Sequence, residues 1–353
     1  MNSTYGSELY GDSTNSEYGS SIQLNGAGNI IVIAERYFDA TNSNSGRVRV
    51  YEYSLPGSVG GVWNQKGANH ILASGTVRNI DQSSIPPTNN YFGWDVKINR
   101  AGTIIAVALL KPLGLFNSEG GIQTFAWNGT DWIEYGGGTQ MYGDGELHYM
   151  GIHNNFGESG ISMNHDGTII AAGCKDRSYV KVWKFSDSTN FLSDGYTLRG
   201  SEINGLTTEE YSGRSVSINS DATVVAIGSH HFDGGAGTGS GTTRIYEWNG
   251  TAWVLKGNQI NGSATQEESG WSVSINNDGT VVAIGAHGND EGPGSNAGTT
   301  RIYEWNGTAW VLKGSQINGL TTDEYSGRSV SINGDGTIAV SYTHLTLPTN
   351  SSV

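Results

Sequence analysis

The stretch GWSVSINNDGTVVAIGA, Gly270 to Ala286, decides the fold, because the chain spells it repeatedly. Close copies are GRSVSINSDATVVAIGS from Gly213 and GRSVSINGDGTI from Gly327. Looser copies begin at Gly19, Gly93 and Gly157. One asparagine marks each copy: Asn25, Asn99, Asn164, Asn219, Asn276 and Asn333. The last two spacings are 57 residues each and the first is 74, so insertions fall between the marked segments. A fixed period of this length identifies a repeat architecture, in which each unit buries its face only against its neighbours.

Each copy parses into four strands, here called a to d. Strand a alternates, as in Val216-Ser217-Ile218, which buries one face. It ends in Asn-x-Asp-Gly, the chemistry of a tight hairpin turn. Strand b is a continuous apolar run, Val281 to Gly285, suited to a strand covered on both faces. Strand c carries aromatic residues two apart: Tyr51/Tyr53, Phe125/Trp127, Trp183/Phe185, Tyr246/Trp248 and Tyr303/Trp305. A spacing of two puts both rings on one face. Asn249-Gly250 and Asn306-Gly307 then predict a two-residue turn into strand d, which would set Tyr246 opposite Trp253 and Tyr303 opposite Trp310. Strand d closes on Gly-x-x-Ile-Asn-Gly, as at Gly257 to Gly262, and Gly6 to Gly11 reads as a version of that piece. The expectation is an all-β β-propeller of four-stranded blades, with repeats starting near 18, 92, 156, 211, 268 and 325: five complete blades and part of a sixth, in a native propeller of six or seven.

Composition narrows the partners. The net charge is −14, so phosphate backbones and anionic lipid repel the chain; nucleic acid and membrane insertion are both expected to be absent. The 53 glycines come with a tenth of aromatic residues and no collagen period, which fits turn-dense β structure. The lone Cys174 excludes an intrachain disulfide and reads as a buried thiol. The first residues have neither the basic nor the apolar region of a signal peptide.

The repeat also serves as a ruler. After Ile338 it should continue as Val-Ala-Ile-Gly, but the chain reads Ala339-Val340-Ser341-Tyr342-Thr343-His344-Leu345. Val-Ser-Tyr-Thr-His-Leu matches an in-frame translation of a common transposon-derived sequencing adapter. Residues 339–353 are therefore expected to be a non-native tail on a C-terminally truncated chain.

The Tyr18-Gly19, Phe92-Gly93 and Phe156-Gly157 starts, the Ser-Val strand, the Asp-Gly turn and the Ile284-Gly285-Ala286 end resemble the FG-GAP repeat of integrin-α-like propellers. The unit also resembles repeats of secreted or surface proteins of marine microbes. The resemblance covers residues 6–338 and implies an extracellular or cell-surface binding or adhesion role. It departs from the family at the calcium loop. That loop needs several carboxylates around one hard cation, whereas each turn here offers one, Asp166, Asp221, Asp278 or Asp335, and two copies carry Ala27 and Ala101 instead. Calcium binding does not carry over to these turns.

Candidate ligand-binding residues lie in the b–c loops. Aligned on strand b, one position holds Arg36, Lys175, His230 and His287, with Leu110 followed by Lys111 in the remaining copy. Asp39, Asp233 and Asp290 recur a few residues on. These positions would form a basic ring beside acidic loops, able to bind an anionic group or a sugar; the plainer reading is a set of local charge pairs that order glycine-rich loops. Asp233, Asp290 and Glu291 offer at most weak calcium ligation, and no other cofactor is expected. His148 and His153 lack metal-site spacing. The paired carboxylates Glu209-Glu210 and Glu267-Glu268 recur just before strand a, and such repetition points to structure. The Asn-Gly-Thr sequons at Asn128, Asn249 and Asn306 coincide with turns. No single asymmetric set of acid, base or metal ligands stands out. The expected function is a non-enzymatic propeller that recognises a protein or glycan through its loops; a glycan-processing enzyme or a purely structural repeat are the alternatives.

Overall fold

The computed structural model describes residues 8–11, 16–39, 44–55, 60–68, 71, 91–109, 120–136, 141–142, 160–185, 195–290, 292 and 294–342. Two compact units result, one from residues up to 176 with 181–202, the other from 177–180 with 203 onward. Among the described residues there is no α-helix; Lys175–Arg177 is a single 3-10 turn.

Unit 1 holds three antiparallel sheets. The first copy runs Tyr18–Leu24, Ile30–Glu35, Arg47–Tyr53, Trp63–Gln65 in spatial order a-b-c-d. The second repeats that order with Val96–Ile98, Ile104–Leu109, Gly121–Trp127 and Trp132–Tyr135. The third has Ile161–Met163, Ile169–Cys174, strand c from Lys181 onward and Tyr196–Leu198. Unit 2 opens where Tyr179 and Val180 pair with Asn204 and Ile203. It continues with Ser215–Ile218, Val224–Ser229, Thr242–Trp248, Trp253–Leu255 and then Ser272–Ile275, Val281–Ala286, Thr299–Trp305, Trp310–Leu312. Strand d comes in two pieces: the Gly-x-x-Ile-Asn-Gly segment forms a second short strand on c, as Ile260–Asn261 does against Thr243 and Thr242. The sixth copy contributes Ser329–Ile332 and Ala339–Tyr342, so residues 339–342 occupy the place of strand b. Glu8–Gly11 form no strand, against the expectation of a strand d there.

Strand b is buried at every residue in the third, fourth and fifth copies, as its unbroken apolar run requires. The glycine near its end has a steric reason. A Cβ on Gly285 would lie 1.9 Å from the carbonyl oxygen of Gly327 in the next copy.

The asparagine that marks each copy closes the a–b turn. Asn276 Oδ1 accepts the N–H groups of Thr280 and Val281, both at 2.9 Å, and its Nδ2 donates to Thr280 Oγ1 at 3.4 Å. The same bond to the residue five ahead recurs from Asn25, Asn99, Asn164, Asn219 and Asn333. The residue three after the asparagine sits in the left-handed region, φ +68 at Gly279, as a type I turn followed by one such residue demands. The fourth copy places Ala222 there at φ 55. Adjacent turns are stitched by backbone: Gly26 N–H to Arg100 O (3.0 Å) and Arg100 N–H to His165 O (2.9 Å) in unit 1, Ser220 to Asn277 (3.1 Å) and Asn277 to Gly334 (2.9 Å) in unit 2.

The c–d turn corrects the expected register. Trp248 pairs with Trp253 and Trp305 with Trp310, while Tyr246 faces Leu255 and Tyr303 faces Leu312. The loop is four residues long, Asn249 to Ala252, because Asn249 Oδ1 takes the N–H groups of Thr251 and Ala252 at 3.0 and 2.9 Å. That side-chain closure replaces the two-residue turn. The aromatic pairs it creates have ring centroids 5.3 Å (Trp248–Trp253) and 5.4 Å (Trp305–Trp310) apart.

Candidate functional site

In an a-b-c-d sheet the a–b and c–d turns lie at one end and the b–c and d–a connections at the other. The loop end carries the varied residues. In unit 1, Arg36 pairs with Glu17 and lies 4.7 Å over Trp94 and 5.3 Å over Tyr37. Tyr37 meets Tyr91 edge-on at 5.4 Å. Lys175 pairs with Asp176 at 2.6 Å. Leu110, Lys111, His148, His153 and Glu291 lie outside the described residues.

In unit 2, His230 and His287 converge on one ring. Trp271 has His230 edge-on at 4.9 Å and His287 at 3.8 Å. The Arg214 guanidinium lies 3.5 Å over the same indole. Around this buried frame runs a more open rim. His231 is exposed and lies 4.4 Å from His230 and 4.8 Å from Tyr211. Glu268 is half-buried, 3.3 Å from His287 Nδ1 and 3.8 Å from His231 Nε2. Tyr325 stands 5.8 Å from His287.

The electrostatics follow from burial beside cations. Burial lowers His287 to about 3, and the charges of Arg328 and Arg214 push the same way. His287 is therefore neutral near pH 7, and its approach to Glu268 is no ion pair. Burial raises the Glu268 carboxyl, opposed by Arg214. Burial lowers Arg214 to about 9; Glu268 opposes this and Arg328 adds to it. The result is a carboxylate of raised proton affinity beside a neutral imidazole, with aromatic rings on both sides.

The recurring aspartates do other work. Asp39 accepts the Asn44 N–H at 2.6 Å, Asp233 that of Gly239 at 2.8 Å and Asp290 that of Asn296 at 2.6 Å. Each staples its own loop. Among the described residues no group of three or more His, Cys, Asp or Glu could hold a metal ion. Cys174 is buried.

The paired carboxylates divide. Glu210 and Glu267 are buried and clamp the strand-c arginines Arg244, at 2.5 Å, and Arg301. Glu267 Oε2 also takes the N–H groups of Ser263 and Ala264 at 2.9 and 3.0 Å. Those are structural, as their repetition suggested. Glu268, next in the chain, turns to the rim. The sequence reading missed Glu268, Trp271 and Arg214. A signal exists: they stand eight and five residues before the marking asparagines, where Tyr211, Glu268, Tyr325 and Arg214, Trp271, Arg328 alternate in chemistry along an otherwise monotonous repeat.

No family model and no curated protein matches the chain. Solved structures do. A candidate 6-phosphogluconolactonase of Bacteroides uniformis ATCC 8492 is similar at a TM-score of 0.57 and 10% identity, over 92% of this chain and 77% of that one. One from Bacteroides fragilis NCTC 9343 gives 0.54 and 10%, over 92% and 76%. KlAtg21, in complex with the coiled coil of AgAtg16, gives 0.55 and 10%, over 91% and 77%. At such identities the likeness shows the fold alone: the chain is an all-β β-propeller of four-stranded blades.

Proposed function

We propose that the chain is a recognition propeller, acting at or outside the cell surface, that binds a glycan at its loop end through the His231–Glu268–His287 rim of unit 2. One observation carries this reading. Glu268 is a partly open carboxylate set between two histidines, whereas the recurring loop aspartates Asp39, Asp233 and Asp290 each accept from their own loop's backbone. Sugars are held by a few placed acceptors and donors with aromatic edges beside them. A glycan array probed with the whole chain, followed by calorimetric titration of any hit, tests it. Binding that falls at least tenfold in Glu268→Gln is expected. No binding on the array, or hits indifferent to Glu268 and His231, would sink it.

A second reading has its own support. A carboxylate of raised proton affinity beside a neutral imidazole is a general-base set, and two of the fold neighbours are described as candidate 6-phosphogluconolactonases. In lactone hydrolysis Glu268 would take a proton from water as its oxygen attacks the ring carbonyl. It would return that proton to the ring oxygen as the C–O bond breaks. Acid release from a sugar lactone, above the uncatalysed rate and lost in Glu268→Gln, would favour this reading over binding alone.

A further inference from the structure

The two residues that follow each marking asparagine vary in a way the turn does not require. In the third to sixth copies the second of them is an aspartate: Asp166, Asp221, Asp278 and Asp335. The first and second copies carry Ala27 and Ala101 in that place. The residue just before it is Ser220, Asn277 or Gly334 in unit 2, but Gly26, Arg100 and His165 in unit 1. The turns of unit 1 thus lack two carboxylates and carry a guanidinium and an imidazole instead.

A cavity of about 550 Å³ opens at these turns, lined by Gly26, Ala27, Arg100, Ala101, His165 and Asp166, all of unit 1. The Arg100 side chain is held in place. A Cβ on Gly26 would lie 2.3 Å from its Cγ and 3.3 Å from its Cδ, so the stem runs across the first copy's turn where glycine leaves room. The Arg100 guanidinium makes no hydrogen bond or ion pair among the described residues, whereas Arg36, Arg47, Arg49, Arg244 and Arg301 each face a carboxylate. The N–H groups of Ala27 and Ala101 also have no partner among the described residues. The one carboxylate of the lining, Asp166, accepts the N–H and hydroxyl of Thr168 at 2.9 and 2.5 Å. The cavity therefore offers donors and positive charge, in a chain whose net charge is −14.

We propose that this cavity binds a small anionic ligand, a phosphate or carboxylate group borne on a body the size of a sugar, with the oxyanion on the Arg100 guanidinium. The planar fork of a guanidinium presents paired donors that match either group. The volume lies within the range of small-molecule sites, roughly 300–1,000 Å³, which points to a body larger than a bare anion. Alanine at 27 and 101 keeps out carboxylates that would repel the ligand and compete for the guanidinium. The site uses no residue of the His231–Glu268–His287 rim.

Calorimetric titration of the whole chain at fixed ionic strength tests this, with glucose 6-phosphate, glucuronate and neutral glucose as probes. At least one of the two anionic sugars should bind, about tenfold or more tighter than glucose, and the tighter of the two tells phosphate from carboxylate. Arg100→Gln should weaken that binding about tenfold or more, and Arg100→Lys less, because lysine keeps the charge but not the fork. Ala101→Asp should weaken it as much as Arg100→Gln, by pairing with the guanidinium. Gly26→Ala leaves every charge in place and displaces only the arginine stem, so it should weaken binding severalfold. No binding of either anionic sugar, equal binding of glucose, or an affinity indifferent to Arg100 and Ala101 would each overturn the assignment. Unchanged circular dichroism confirms that the variants fold.

Discussion

The two ends of the sheets use the same repeat in opposite ways. At the turn end one asparagine geometry recurs six times, with bonds that agree to a few tenths of an ångström. At the loop end, positions fixed relative to that asparagine hold arginine, histidine, tryptophan, tyrosine or glutamate. Unit 1 fills them with Arg36, Glu17 and Trp94, whose charges are mutually satisfied. Unit 2 fills them with His230, His287, Trp271 and Glu268, and there burial displaces the proton affinities of His287 and Glu268. Uniformity thus marks what the fold needs, and variation marks where chemistry can be placed without disturbing the turns.

The sharpest way to break this contrast is to remove the residue that holds the varied end together. Trp271→Ala should cost roughly 4 kcal/mol by denaturant unfolding, because it empties a buried site that His230, His287 and Arg214 all line. It should also return the His287 titration toward its ordinary range, read by NMR. At the other end, Asn276→Ala removes the acceptor for two N–H groups, one of them buried, and should cost about 3 kcal/mol. It should leave the His287 titration where it is. A shift there would mean that the two ends are not separable.

Acid separates the ends without mutation. The unfolded imidazole binds a proton below 6.5, but folded His287 does so only near 3. The unfolded state therefore takes up the proton first, and the contribution to stability is full above 6.5 and falls as pH drops through that window. By pH 5 the loss is roughly 2 kcal/mol. His287→Gln should flatten this part of the stability-against-pH curve, whereas Asn276→Ala should only lower it. Gly279→Ala is smaller, about 1–2 kcal/mol, since it combines a φ of +68 with a Cβ 2.6 Å from Val224 Cγ2. Thermal melts would show it.

The turn end was legible in the sequence because everything there is local. Asn276, Asp278, Gly279 and Thr280 lie within five residues and need no partner from elsewhere to be read as a turn. The four strands and their aromatic faces were legible for the same reason. Register was not: Asn-Gly alone suggests a two-residue loop, and only the threonine that follows, with its N–H on the asparagine side chain, lengthens it to four. Of the rim, His230 and His287 could be found by alignment on strand b. Trp271 and Glu268 show in the alignment only as positions that vary, because they join the site from the d–a connection, and which connections abut is a matter of packing between copies. Glu268 was further masked by Glu267, its neighbour in the chain and a structural residue.

The smallest effect tests whether the turn end is as transferable as its repetition implies. In the third, fourth and sixth copies an aspartate two residues after the asparagine accepts the N–H and hydroxyl of the following threonine: Asp221 Oδ1 holds Thr223 at 3.0 and 2.7 Å. Burial is the largest single influence on Asp221 and opposes its charge, but the Thr223 and Asn219 hydrogen bonds together outweigh it and hold the carboxyl below the usual range; for exposed Asp335 the Thr337 hydroxyl bond leads. The second copy has Thr103 in the same place and Ala101 where the aspartate would be, exposed beside Arg100. Ala101→Asp should therefore stabilise by about 0.5 kcal/mol at neutral pH. The gain should be lost on acidification as the new carboxyl protonates, because a carboxylate whose proton affinity is lowered in the folded state contributes only while ionised. Ala27→Asp is the control: the first copy has Asn29 in the threonine's place, so it lacks the hydroxyl and should gain less. Equal gains at both sites would mean that the stabilisation is a general effect of negative charge near Arg100 rather than the turn's own hydrogen bonds.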